Sequence, residues 1–287
     1  MKPVYIMKLT TKNLYRTATS SLRALPDFLI IGAQKGGTTS LYLYLNEHPN
    51  IGGAVIKEVN FFDKNYHLHL PWYRTQFPIP LRKMYTRNIR KQNYLIGEAS
   101  PSYLLYPHTP GRVAELLPDV KLIALLRNPV ERAYSQYRHN VARGFEQLSF
   151  ADAIDAEEER TRTEKAKVLG NKQYNGIAFY RYSYLARGVY VDQLNHWLDF
   201  FPREQLLILK SEELYSEPGT IFKHTLAFLD VPVLIPESLQ KEFKPYNKSE
   251  DTLSSKIDPA TRERLVTYFE PHNARLYELV GRDFGWS

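Results

Sequence analysis

The chain has 287 residues, 43% hydrophobic and 24% charged, the composition of an ordinary folded globular protein. It contains no cysteine, which excludes disulfides, thiolate metal sites and cysteine nucleophiles and fits a reducing, cytoplasmic setting. Lys and Arg outnumber Asp and Glu by 38 to 31, a net charge of +7 suited to anionic ligands such as nucleotides, acidic glycans or nucleic acid.

The segment Met1–Leu25 is basic and carries no acidic residue, and it reads as a loose N-terminal arm over residues 1–25, with a transit peptide as the alternative. One domain is expected over residues 26–287. No apolar run is long enough to span a bilayer; the stretches near Phe28–Gly32 and Leu122–Leu126 are strand-sized.

Phe28-Leu29-Ile30-Ile31 reads as a buried strand ending at Gly32. Leu41, Tyr44, Leu45 and His48 then recur at helical spacing, and Pro49 stops that helix. Tyr94–Gly97 is a second predicted strand, and Val113, Leu116 and Leu117 mark a short helix closed by Pro118. Val120–Leu126 is a third strand. Asn128-Pro129-Val130-Glu131 starts the next helix, with Asn128 as cap and Pro129 in the first turn. Leu194, Trp197, Leu198 and Phe201 form another helical stripe, with Tyr190 and Trp197 read as core. Gln205–Leu209 is a further strand, followed by a helix on Ile221, Phe222, Thr225, Phe228 and Leu229. Asp258-Pro259 opens a C-terminal helical region that Pro271 is expected to interrupt. Asn60–Lys91 and Leu148–Asn175 read as insertions. The cluster Arg82, Lys83, Arg87, Arg90 and Lys91 in the first reads as a solvated surface, with an acidic acceptor as the alternative. Alternating strands and helices predict an α/β fold of three layers, a P-loop-like arrangement with a central, mostly parallel sheet flanked by helices.

The loop Gly32-Ala33-Gln34-Lys35-Gly36-Gly37-Thr38-Thr39 has the glycine frame of a nucleotide-triphosphate loop. Glycines let backbone N–H groups curl around an anion, and the following helix N-terminus adds positive potential. The usual lysine is displaced three places, to Lys35, and Thr38 stands in its position. That shift puts charge nearer the first phosphate and its bridging oxygen. The apolar strand Leu122–Leu126 ends in Arg127, where a triphosphatase carries a metal-holding Asp. Taken alone, Arg127 fits either a second anion site or a structural ion pair.

These segments resemble the sulfotransferases that use 3′-phosphoadenosine 5′-phosphosulfate (PAPS), in particular the branch of heparan sulfate N- and O-sulfotransferase domains and their bacterial relatives. Phe28–Thr39 is similar to that family's 5′-phosphosulfate loop. Leu126-Arg127-Asn128-Pro129-Val130-Glu131-Arg132-Ala133-Tyr134-Ser135 is similar to its 3′-phosphate segment. Lys57-Glu58-Val59-Asn60-Phe61-Phe62-Asp63 and the stretch Asn273–Trp286 also match. The resemblance implies PAPS as donor, with no metal required. Lys35 would stabilise the leaving phosphate. Gly36, Gly37, Thr38, Thr39 and Ser40 would hold the phosphosulfate, and Arg127 and Ser135 the 3′-phosphate. Lys244 would lie in a loop closing over the nucleotide. Glu58 would be the general base for a hydroxyl or amine acceptor, with His67, His69 and His139 as rivals. Lys57, Asp63 and His67 are the candidate acceptor contacts. Ala99 stands where the heparan enzymes carry Lys, which speaks against a heparan-type acceptor; a carbohydrate or glycolipid acceptor is expected, with a small secondary metabolite as the alternative. A P-loop kinase or NTPase is the competing enzyme class. A nucleic-acid partner is not expected, because basic residues are interleaved with acids.

Overall fold

A computed structural model describes residues 11–241, 243 and 256–286 of the chain. In chain order, α1 (Thr11–Ala18) precedes β1 (Phe28–Gly32), α2 (Thr38–Asn46) and β2 (Ile51–Gly53). Then come α3 (His69–Thr75), α4 (Leu81–Asn88), β3 (Leu95–Ala99), α5 (Thr109–Leu116), β4 (Lys121–Leu126) and α6 (Pro129–Ala142). Next are α7 (Phe150–Asp155), α8 (Glu157–Gly170), α9 (Ile177–Tyr182), α10 (Tyr190–Leu198) and β5 (Leu206–Lys210). The chain continues through α11 (Ser211–Ser216), α12 (Pro218–Leu229), α13 (Glu237–Lys241) and α14 (Pro259–Val280).

The five strands form one all-parallel sheet in the order β2-β3-β1-β4-β5. Alternation within each strand divides the core into two faces. Leu29 and Ile31 of β1, with Leu122, Ala124 and Leu126 of β4, pack against Tyr73, Val113, Leu194, Trp197 and Leu276. Phe28 and Ile30, with Ile123 and Leu125, pack against Leu41, Leu45, Phe222 and Leu226. The result is the expected three-layer α/β architecture. A parallel sheet buried on both faces explains why β1 and β4 read as continuous apolar runs.

Three features differ from the sequence reading. The arm is not loose from Thr11 onward: α1 is docked through Arg16 and Arg23. Arg16 donates to the carbonyls of Thr75 (2.5 Å) and Phe77 (3.0 Å), and Arg23 also donates to Phe77 (2.7 Å). Those carbonyls lie at the C-terminal end of α3, where helix carbonyls lack partners and cations are favoured. Pro271 does not interrupt the C-terminal helix; α14 runs through it. Leu265, Phe269, Asn273 and Leu276 are buried on both sides of Pro271, so tertiary packing outweighs one lost backbone bond. The short strand β2, Ile51-Gly52-Gly53, was not foreseen. Among the described residues no helix is long and apolar enough to cross a membrane.

Candidate active site

The carboxyl ends of β1, β3 and β4 meet at one edge of the sheet, where the strand order reverses and ligands bind in open α/β sheets. After β1 the backbone folds back tightly. The Ala33 amide donates to the Leu125 carbonyl at 2.8 Å, and the Gly36 amide donates to the Ala33 carbonyl at 3.0 Å. A Cβ at Gly36 would lie 2.4 Å from the Leu125 oxygen, so only glycine lets the loop approach β4 this closely. Gly37 caps α2 with φ 90°, and Thr38, Thr39 and Ser40 form the first turn behind it. Ser40 is fully buried, Thr38 nearly so, and Thr39 half-buried.

Lys35 takes a left-handed backbone conformation, φ 69°, within this loop. Arg127, at the exit of β4, donates to the Lys35 carbonyl at 3.4 Å. Burial pushes the Lys35 ammonium below its ordinary value; Arg127, Arg143 and Arg138 push it further, and Glu58 opposes them. Four cations and one carboxylate therefore share a partly desolvated site. Arg138, Arg143 and Ser135 all lie on α6 or just past it, which Asn128 starts by accepting from the Val130 amide at 3.0 Å. Ser135 is half-buried there.

Glu58 arrives from the loop after β2. Its amide donates to the Ala99 carbonyl at the end of β3 (3.0 Å), its backbone is left-handed (φ 61°), and Lys57 pairs with its carboxylate at 2.7 Å. Of the rival bases, His139 reaches the site. Burial, then Lys35 and Arg143, lower it to about 4, so its imidazole is neutral at physiological pH. His67 and His69 are exposed. A cavity of about 350 Å³ opens beside the loop, lined by Gln34, Gln136, His139, Asn140, Arg143 and Tyr180. His67 does not line it. Asp63 does not face an acceptor either: it is buried, accepts from the Lys64 amide at 2.6 Å, and bonds to the Ser102 hydroxyl. Burial raises its carboxyl above the ordinary range. Lys244 lies outside the described residues. The nearby Phe243 packs edge-on against Tyr215, with ring centroids 5.5 Å apart.

The sequence reading missed a buried network beneath Glu58. The Glu98 carboxylate is fully buried and accepts from Tyr73 (2.5 Å), Tyr103 (2.6 Å) and Ser100 (2.7 Å). Two of those hydroxyls also accept from the backbone that follows Glu58: Ser100 from the Asn60 amide (3.0 Å) and Tyr103 from the Phe61 amide (2.8 Å). Asn60, like Glu58, is left-handed, with φ 51°. The network holds this strained turn in place.

The sulfotransferase domain family matches residues 25–256 of the chain. The chain belongs to the sulfotransferase family. Two curated relatives are the membrane-associated sulfotransferase kil1 of Dictyostelium discoideum and the human heparan sulfate glucosamine 3-O-sulfotransferase 3B1. Each is 30% identical, over 92% and 93% of this chain respectively. The chain spans about two thirds of their length, 67% and 66%. A sulfotransferase from Alicyclobacillus acidocaldarius has a similar crystal structure, with TM-score 0.66 and 33% identity, covering 91% of this chain and 98% of that one. In this sulfotransferase Arg127 and Glu58 both lie close enough to Lys35 of the Gly-rich loop to act on its charge.

Proposed function

We propose that this sulfotransferase moves a sulfuryl group from PAPS to a hydroxyl or amine of a carbohydrate acceptor. The observation that carries the reading is the convergence of Lys35, Arg127, Arg138 and Arg143 with Glu58 at the carboxyl edge of the sheet. A nucleotide carrying phosphates at both its 5′ and 3′ positions suits such a field. The 5′-phosphosulfate would rest on Gly36, Gly37, Thr38 and Thr39 at the α2 N-terminus, with Ser40 behind them. Arg127 and Ser135 would take the 3′-phosphate.

In the reaction the acceptor oxygen or nitrogen attacks sulfur and forms a new bond to it. The bond from sulfur to the bridging phosphate oxygen breaks in line. The acceptor proton passes to Glu58, and Lys35 neutralises the charge left on the phosphate. His139, neutral in the cleft, can accept or donate one hydrogen bond to the acceptor. A carbohydrate is supported by a cavity that sets amides and cations (Gln136, Asn140, Arg143, Arg181) beside aromatic rings (Tyr106, Tyr180), and by the relatives whose names specify heparan sulfate. Ala99 is buried at the end of β3 and brings no cation to the acceptor side.

Two measurements test the reading. Without magnesium, 3′-phosphoadenosine 5′-phosphate should bind tightly and ATP weakly; the reverse order would make the protein a P-loop kinase or NTPase. Glu58→Gln should lower transfer to a carbohydrate acceptor by at least about 100-fold while nucleotide binding and melting temperature stay unchanged. Wild-type turnover in that variant would remove Glu58 from the mechanism.

A further inference from the structure

We infer that α4 is a docking helix for an anionic lipid surface. Leu81, Met84, Tyr85 and Ile89 are 69%, 54%, 53% and 66% exposed. The hydrogen bonds from Ile89 to the Tyr85 carbonyl and from Arg90 to the Thr86 carbonyl carry the helical turn on to Arg90. At about 100° per residue, these four side chains form one apolar stripe about 140° wide. It points away from the protein. The opposite side docks the helix, with Thr86 buried and Lys83 bonded to Asp27 at 2.5 Å. Most surface helices turn such a stripe inward; this one presents it to solvent.

The charges around the stripe identify the partner. Arg82 stands on one flank and Arg87 on the other, and Lys91 follows just past the helix end; all three are exposed. From Lys64 to Gly97 the chain has no Asp or Glu. A helix with apolar side chains on one side and cations at its margins suits the boundary between headgroups and acyl chains, with Tyr85 as an amphipathic ring at that depth. An acidic glycan would satisfy the cations but leave four apolar side chains in water. A second copy meeting this face symmetrically would set like cations against each other. An anionic bilayer satisfies both features.

Orientation follows from the same contacts. Lys83 reaches Asp27, just before β1, and Arg82 donates to the Pro49 carbonyl, just before β2, at 3.0 Å. So α4 lies at the amino ends of the strands, and the active site lies at their carboxyl ends. Docking through α4 would turn the cleft away from the lipid.

Co-sedimentation of the full chain with vesicles tests the inference. Mixed phosphatidylcholine–phosphatidylserine vesicles should bind the protein at least about tenfold better than phosphatidylcholine alone. The double variant Met84→Glu/Ile89→Glu should weaken that binding by at least about tenfold with no change in melting temperature, because both positions are exposed. No binding to the mixed vesicles overturns the proposal. So does full binding by the double variant, which would reduce the contact to charge alone. A wild-type dimer in analytical ultracentrifugation that the double variant dissolves would assign the stripe to a second copy and also overturn it.

Discussion

Arg127 holds the Lys35 carbonyl at 3.4 Å while its charge works against the ammonium of the same residue. The backbone is gathered in and the side-chain charges repel. Such an arrangement is preorganised for an anion and strained without one. Lys35→Met should therefore abolish sulfuryl transfer and raise the melting temperature of the unliganded protein. The sign follows from the lowered Lys35 value. The charged form is disfavoured in the fold, so the penalty is fully present at neutral pH, fades as pH rises through the lowered folded value, and is gone once pH passes the free-lysine range. Differential scanning fluorimetry at neutral and alkaline pH checks both parts.

Glu98 gives the fold a pH dependence of its own. Burial raises its carboxyl to about 7, although three hydroxyls stabilise the anion. The folded state thus keeps a proton that the unfolded chain has released above about 4.5. Stability from this group is fully present below that value and is lost as pH rises through about 7, by about 3 kcal/mol. Chemical denaturation of wild type and Glu98→Gln from acid to neutral pH should show that slope only in the wild type. Since Ser100 and Tyr103 also hold the Asn60 and Phe61 amides, the variant should lose turnover more than nucleotide affinity.

His139 should remain neutral at pH 5.5. Its lowered value means that the unfolded chain takes up a proton before the fold does, so this residue opposes stability as pH falls from its ordinary value towards about 4. An NMR titration assigned through His139→Gln should place its midpoint near the lower figure. A midpoint at the ordinary imidazole value would mean the ring is outside the cationic site.

Gly36→Ala should destabilise the protein by about 2 kcal/mol or more, because the new methyl group meets a backbone oxygen rather than a movable side chain. Nucleotide binding should be lost with it. Equilibrium denaturation and calorimetric titration measure the two effects separately.

Much of the fold was legible from local pattern. Phe28–Ile31 and Leu122–Leu126 are uninterrupted apolar runs because helices cover both sheet faces, and Asn128-Pro129 marks a helix start by its own capping chemistry. Ile51-Gly52-Gly53 carried no such signal: two of its three residues lack a side chain to show periodicity. Pro271 misled because its local cost is visible in sequence, whereas the packing of Phe269 and Leu276 that offsets it is not. The site divides in the same way. Lys35, Glu58 and Arg127 stand in contiguous motifs. Glu98 depends on Tyr73, 25 positions away, and its environment exists only after folding. Asp63 lies in a motif, but burial gives it a bracing place rather than an exposed one.

The loop and Arg127 are mounted on β1 and β4, adjacent strands in one ladder, with Ile30 opposite Ile123 and Gly32 opposite Ala124. A side chain can swing, but the spacing of two paired strands is fixed at roughly 4.8 Å by their hydrogen bonds. The enzyme therefore works as a caliper. Its jaws are set by the sheet, and on the function proposed above a nucleotide would be accepted when the separation of its anionic groups matches the gap. Ligands of equal charge but different length should be told apart by reach alone.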